Sequence, residues 1–73
     1  MLRELRTLTE TNIGETIKAL RLDRGMSVKD VASVAHLSTS VINRYEANKR
    51  VPSLRAFAAL MNALDAEIFF AKK

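Results

Sequence analysis

From Ser38 onward the chain reads STSVINRYEANKR, a run in which hydroxyls, amides and three cations recur beside a single carboxylate. Such groups donate hydrogen bonds and attract anions, but they contain no nucleophile set against a base and no paired carboxylates. The chemistry they support is recognition. In helical register Thr39, Ser40, Asn43, Arg44 and Ala47 follow i, i+1, i+4, i+5 spacing on one face, while Val41, Ile42 and Tyr45 lie on the other. One face is suited to packing and the other is polar, short and unobstructed. Followed at once by Lys49 and Arg50, that polar face can approach phosphates without repulsion and lay side chains against base edges.

Thr39, Ser40, Asn43 and Arg44 are therefore the candidate base contacts. Asn43 is chemically suited to adenine, and Arg44 can read a base, clamp a phosphate or stand solvated on the surface. Ser38, Lys49 and Arg50 are better phosphate ligands, with Ser38 doubling as a helix cap and Arg55 a weaker addition. His36 reads as a turn residue, since a lone His makes no metal site.

The reading helix, about residues 39–47, needs elements to hold it. Ser27 can cap a preceding helix with Asp30 three residues on, near the positive end of the dipole, and Val28, Val31, Ala32 and Ala35 supply its apolar face. That helix ends near Ala35, and His36 and Leu37 make the turn. Upstream, a first helix starts near residues 10–13, with Asn12 and Glu15 at capping-box spacing and Thr9 or Thr11 as alternative caps. Ile13, Ile17 and Leu20 form its buried stripe, Lys18 and Arg24 face out, and Gly25 ends it. After the loop, Ser53 caps a fourth helix whose Leu54, Phe57, Leu60, Met61 and Leu64 read as core. The end of the chain, AEIFFAKK, changes character: Ile68, Phe69 and Phe70 are strand formers, and a lone strand needs a partner. Pairing with the same strand of a second copy would make a twofold dimer. The division is thus an N-terminal extension (1–11), a helical domain (12–65) and a dimerisation strand (66–73). The leucines at 2, 5 and 8 of the extension suit either a frayed terminus or a docking segment.

Composition narrows the class. A chain of 73 residues makes one domain with limited burial, and without Cys no disulfide can support it, which favours oligomerisation. One His and no Cys exclude the usual zinc clusters, so no cofactor is expected. The charged N-terminus is unlike a secretory signal, no apolar run approaches the roughly 18 residues of a membrane span, and the lack of Cys fits a reducing cytoplasm. Twelve Lys and Arg against eight Asp and Glu give a net charge of +4, which favours polyanionic partners.

From Ile13 to about Leu64 the chain resembles the phage-repressor (Cro/lambda-repressor, Xre) type of helix-turn-helix domain. The resemblance rests on Leu20-Arg21, Gly25, Ser27 with Ala32, Ser38, Ile42, Arg44, Glu46 and Pro52-Ser53-Leu54 in register. Val28 departs from a usual Gln, and His36 and Asn48 from usual Gly. The resemblance implies a mainly α fold of four to five helices with a short C-terminal strand pairing across a dimer; no enzymatic activity is expected, since the sequence offers no nucleophile–base pair, paired carboxylates or metal cluster. The resemblance also implies binding of double-stranded DNA at an inverted repeat, and a structural ion pair between Arg21 and Glu46. Over the whole chain the pattern is similar to HipB-type antitoxins, which implies a homodimer repressing its own operon and a HipA-like kinase toxin as partner; a phage or housekeeping repressor without a toxin is the alternative.

Overall fold

The computed structural model of the chain describes residues 12–66. Four helices follow one another within them: α1 (Ile13–Asp23), α2 (Val28–Ala35), α3 (Thr39–Glu46) and α4 (Leu54–Ala63). No strand occurs among the described residues; the strand expected at Ile68, Phe69 and Phe70, and the extension 1–11, lie outside them.

Three helices begin on serine. Ser27, Ser38 and Ser53 take extended backbone, and each side-chain oxygen accepts the amide three residues on, from Asp30, Val41 and Ala56 respectively. Each satisfies one of the amides that a helix start leaves without an internal partner. At α2 the Asp30 carboxylate also accepts the Ser27 amide at 2.9 Å, closing a capping box. The backbone and hydroxyl hydrogen bonds of Ser27 hold the Asp30 carboxyl below its ordinary pKa. α1 departs from the expectation. Asn12 has helical backbone angles and makes no side-chain cap, so the Asn12–Glu15 capping box does not form.

Every helix ends in the same way. Gly25 (φ 64°), His36 (57°), Asn48 (59°) and Asp65 (52°) are left-handed. The next amide then reaches back five residues: Met26 to the Arg21 carbonyl, Leu37 to Ala32, Lys49 to Arg44 and Ala66 to Met61, at 2.8–3.1 Å. This double-back satisfies carbonyls the helix leaves open and turns the chain sharply. Only one of the four is glycine; the others accept a left-handed backbone that costs most residues about 1–2 kcal/mol. Asn and Asp can offset part of this through local hydrogen bonds, a relief His has less of. The expected tight turn at His36 forms despite the residue.

One residue from each helix meets at the centre: Ile17, Val31, Ile42 and Leu60 are wholly buried, with Leu64 beside them. Ala32, Ala35, Tyr45, Phe57 and Met61 close the core around them. α1 packs on α3, and α2 packs on both α3 and α4, so α3 is gripped from two sides. Full burial of each large apolar side chain is worth about 1.5–3 kcal/mol. Leu54 corrects the sequence reading. It satisfies the same spacing as Phe57 but, as the first residue of α4, is 70% exposed, while Ala56 and Phe57 behind it are buried. Ile13, Leu20, Val28 and Val41 pack at the core margin, half-buried.

His36→Gly should raise stability by about 0.5–1 kcal/mol, the relief of left-handed strain less the larger unfolded-state entropy of glycine. Urea denaturation measures it; a lower midpoint would show that the imidazole contributes more than the strain costs.

Candidate nucleic-acid interface

The α2–α3 joint sets how α3 is presented. The left-handed turn at His36 brings Ser38 to the start of α3, where its oxygen accepts the Val41 amide at 3.1 Å. The Ser38 hydroxyl keeps its hydrogen to donate outward. Ile42 and Tyr45 then anchor α3 in the core, which turns the opposite face to solvent.

On that face Thr39, Ser40, Asn43, Arg44, Ala47 and Lys49 line one shallow, open depression. All six are exposed. Lys49 arrives there because Asn48 is left-handed and the Lys49 amide bonds the Arg44 carbonyl at 2.9 Å, folding the chain back over the end of α3. Ser38, Arg50 and Arg55 are exposed but do not line the depression. Arg44, Lys49 and Arg50 pair with no carboxylate among the described residues, and no carboxylate lines the depression. The result is a donor-rich, cationic surface about as long as α3, with small side chains at its N-terminal end and longer cations at the other. Among the described residues no three His, Cys, Asp or Glu side chains gather as metal ligands, and no helix is long and apolar enough to cross a membrane.

Glu46 is absent from that face because Arg21 of α1 holds it. Arg21 Nε and Nη2 donate to Glu46 Oε2 and Oε1 at 2.7 and 2.9 Å, a bidentate fork, while Nη1 donates to the Met26 carbonyl at 2.9 Å. The side chains are only 11% and 8% exposed. Hydrogen bonding to Glu46 favours the protonated guanidinium still further. One side chain thus ties α1, the segment entering α2 and the last residue of α3 together, with geometry that a planar guanidinium allows and an ammonium does not.

A second tie joins the same two helices. The Gly14 amide, at the second position of α1, donates to Asn48 Oδ1 at 3.2 Å. A Cβ on Gly14 would lie 2.2 Å from the Tyr45 carbonyl oxygen and 2.4 Å from Asn48 Oδ1, so only glycine lets the helices approach this closely. Gly14, Ile17 and Arg21 share one face of α1, which carries both ties and a core residue between them. The Gly14–Asn48 contact escaped the sequence reading; the available signal was a glycine inside a helical pattern, which marks close packing. Arg24 is exposed, as its spacing predicts, and from the surface it reaches the end of α4, Nε donating to the Leu64 carbonyl and Nη2 to that of Asp65 at 3.4 Å, and it touches Asp23 at 3.3 Å. A cation there complements the negative end of the helix dipole.

Residues 12–67 match the helix-turn-helix domain family. The chain belongs to that family. Over 59 residues it is 32% identical to multiprotein-bridging factor 1 of Candida glabrata, and equally to that of Saccharomyces cerevisiae. The match covers 81% of this chain and 39% of the relatives, so the chain spans well under half of their length. Among solved structures, the restriction-modification controller protein C.AhdI of Aeromonas hydrophila is 29% identical, with a TM-score of 0.76 over 80% of this chain and 88% of that one. The controller protein C.Esp1396I, at 24% identity, has the same fold, with a TM-score of 0.77 over 85% of this chain and 80% of that one. So does the clp gene regulator ClgR of C. glutamicum, at 21% identity and 0.76 over 85% and 80%. The phage-repressor resemblance thus points to the right family, one of helix-turn-helix regulators and not of enzymes.

Glu46→Ala strands the Arg21 guanidinium with only the Met26 carbonyl, and should cost about 3 kcal/mol, the lower end for breaking a buried pair. The denaturation midpoint measures this loss. A midpoint within about 0.5 kcal/mol of wild type, the range of ordinary surface changes, would mean the fork is mechanically idle.

Proposed function

We propose that this chain is a sequence-specific DNA-binding transcriptional regulator acting as a homodimer on an inverted-repeat operator. The observation that carries the reading is the convergence of Thr39, Ser40, Asn43, Arg44 and Lys49 on one carboxylate-free face of α3. Likeness to a restriction-modification controller supports it, and the structure of a C.Esp1396I variant of the same fold shows that variant bound to its highest affinity operator site. In this reading α3 enters the major groove with Thr39, Ser40, Asn43 and Arg44 at base edges, while Ser38, Lys49 and Arg50 hold phosphates on either side.

The size of α3 argues for two copies. Eight residues at about 1.5 Å each span about 12 Å, or under four base-pair steps, which is half a site at most. A second copy presenting its own α3 about 34 Å away, one helical turn of DNA, supplies the other half. Residues 66–73, with Ile68, Phe69 and Phe70, are the proposed dimer-forming strand. We take the chain to act as a repressor in the cytoplasm with the nucleoid. Control of its own operon and a HipA-like kinase toxin as partner follow from the likeness to HipB-type antitoxins; co-purification with the product of an adjacent gene tests them. The names of the curated relatives favour a second reading, a domain that bridges to another protein. A wild-type chain that selects no DNA sequence would favour it.

Arg44→Ala should weaken binding to the operator by about 1–3 kcal/mol and leave random DNA nearly unaffected, whereas Lys49→Ala should weaken both and shallow the salt dependence by about 0.9 in log–log slope. Anisotropy titrations at several salt concentrations separate the two; wild-type behaviour of both variants means another face binds.

Deleting residues 67–73 should leave the four helices folded but yield a monomer in sedimentation, with weaker operator binding. A deletion product that remains a tight dimer refutes the strand interface.

A further inference from the structure

We infer that Asn48 is a positioning residue for the DNA-facing surface, setting sequence discrimination by locking the turn that carries Lys49 and Arg50. The inference rests on the DNA-binding reading above and deepens it. Two separable features of Asn48 bear on that surface. Its left-handed backbone (φ 59°) folds the chain back, so that the Lys49 amide bonds the Arg44 carbonyl at 2.9 Å and Lys49 lines the same depression as Thr39, Ser40, Asn43 and Arg44. Its side chain accepts the Gly14 amide at 3.2 Å, pinning that turn to the first turn of α1.

The second role is a cap supplied from a distance. The Gly14 amide is among those a helix start leaves open, and Asn12, at the N-cap position, makes no side-chain cap. A residue 34 positions away does so instead, from the rim of the proposed DNA surface. The close approach is permitted only because Gly14 has no Cβ. Glycine at position 48 would also adopt the left-handed turn but would leave it untied. Phosphate contacts carry little sequence information themselves; they fix the register in which base readers meet the groove. A pinned turn places the Lys49 and Arg50 charges in one register relative to Arg44. An untied turn keeps both charges and loses the register.

The test uses the full chain, a duplex enriched by binding-site selection with wild type, and a random duplex of equal length, well below each melting temperature. Asn48→Gly keeps the turn and removes the acceptor. It should weaken the selected duplex roughly three- to tenfold, the range one hydrogen bond accounts for, and the random duplex less than about twofold. The salt slope on random DNA should be unchanged, since Lys49 and Arg50 still displace counterions. The Gly14 amide should exchange faster with solvent. Asn48→Asp keeps an acceptor oxygen and should retain both the Gly14 protection and the wild-type discrimination ratio, even if its charge weakens both duplexes alike. An unchanged ratio in Asn48→Gly overturns the inference. So does a parallel loss on both duplexes with a shallower salt slope, which would make Asn48 a direct DNA contact. If selection with wild type enriches no sequence, the DNA-binding reading fails and the inference with it, an outcome distinct from a wild type that discriminates and an Asn48→Gly variant that does so equally.

Discussion

The Arg21–Glu46 fork is the constraint on which the presentation of α3 depends. A helix of eight residues is far too short to be stable alone, so its place in the fold comes entirely from what grips it. Ile42 and Tyr45 supply apolar anchorage, but the hydrophobic attraction is non-directional and leaves freedom of orientation. The fork removes that freedom at one end, because two parallel hydrogen bonds hold only in one orientation. It also withdraws the one carboxylate of α3 from the face that bears Arg44. Stability and surface charge are thus served by the same pair.

Around this brace the chain spends little on connections. Each helix is closed by a left-handed residue and a back-reaching amide, so the next element can start within a few residues. Short connections suit a chain that has no disulfide and a small core, since each ordered loop residue costs conformational entropy with little burial in return. Two of these closures also bear on the proposed function. The His36 turn aims α3 away from α2, and the Asn48 turn returns a cation to the face that α3 presents.

Features set by neighbours in sequence were legible before the fold was known. Ser27, Ser38 and Ser53 cap their helices because a side-chain oxygen needs only the amide three residues ahead, and Ile17, Ile42 and Leu60 are buried as helical periodicity requires. The outward face of α3 was legible for the same reason. Contacts between distant residues were not. Arg21 and Glu46, 25 positions apart, were paired only through the family resemblance. Gly14 inside a helical pattern marks a close approach but does not name Asn48 as the partner, and Arg24 with Leu64 has no local signature. Leu54 shows the limit of periodicity: spacing says which face a residue shares, but not whether another element reaches far enough to cover it.

The central claim is that the exposed face of α3, with the turn after it, is the surface that meets DNA. An NMR titration of the full chain with its selected duplex tests this most directly, through backbone amide shifts assigned residue by residue. The account predicts that the largest changes fall at Ser38, Thr39, Ser40, Asn43, Arg44, Lys49 and Arg50. Changes centred instead on the outer face of α1, at Glu15, Lys18 and Leu22, with α3 unmoved, would contradict it.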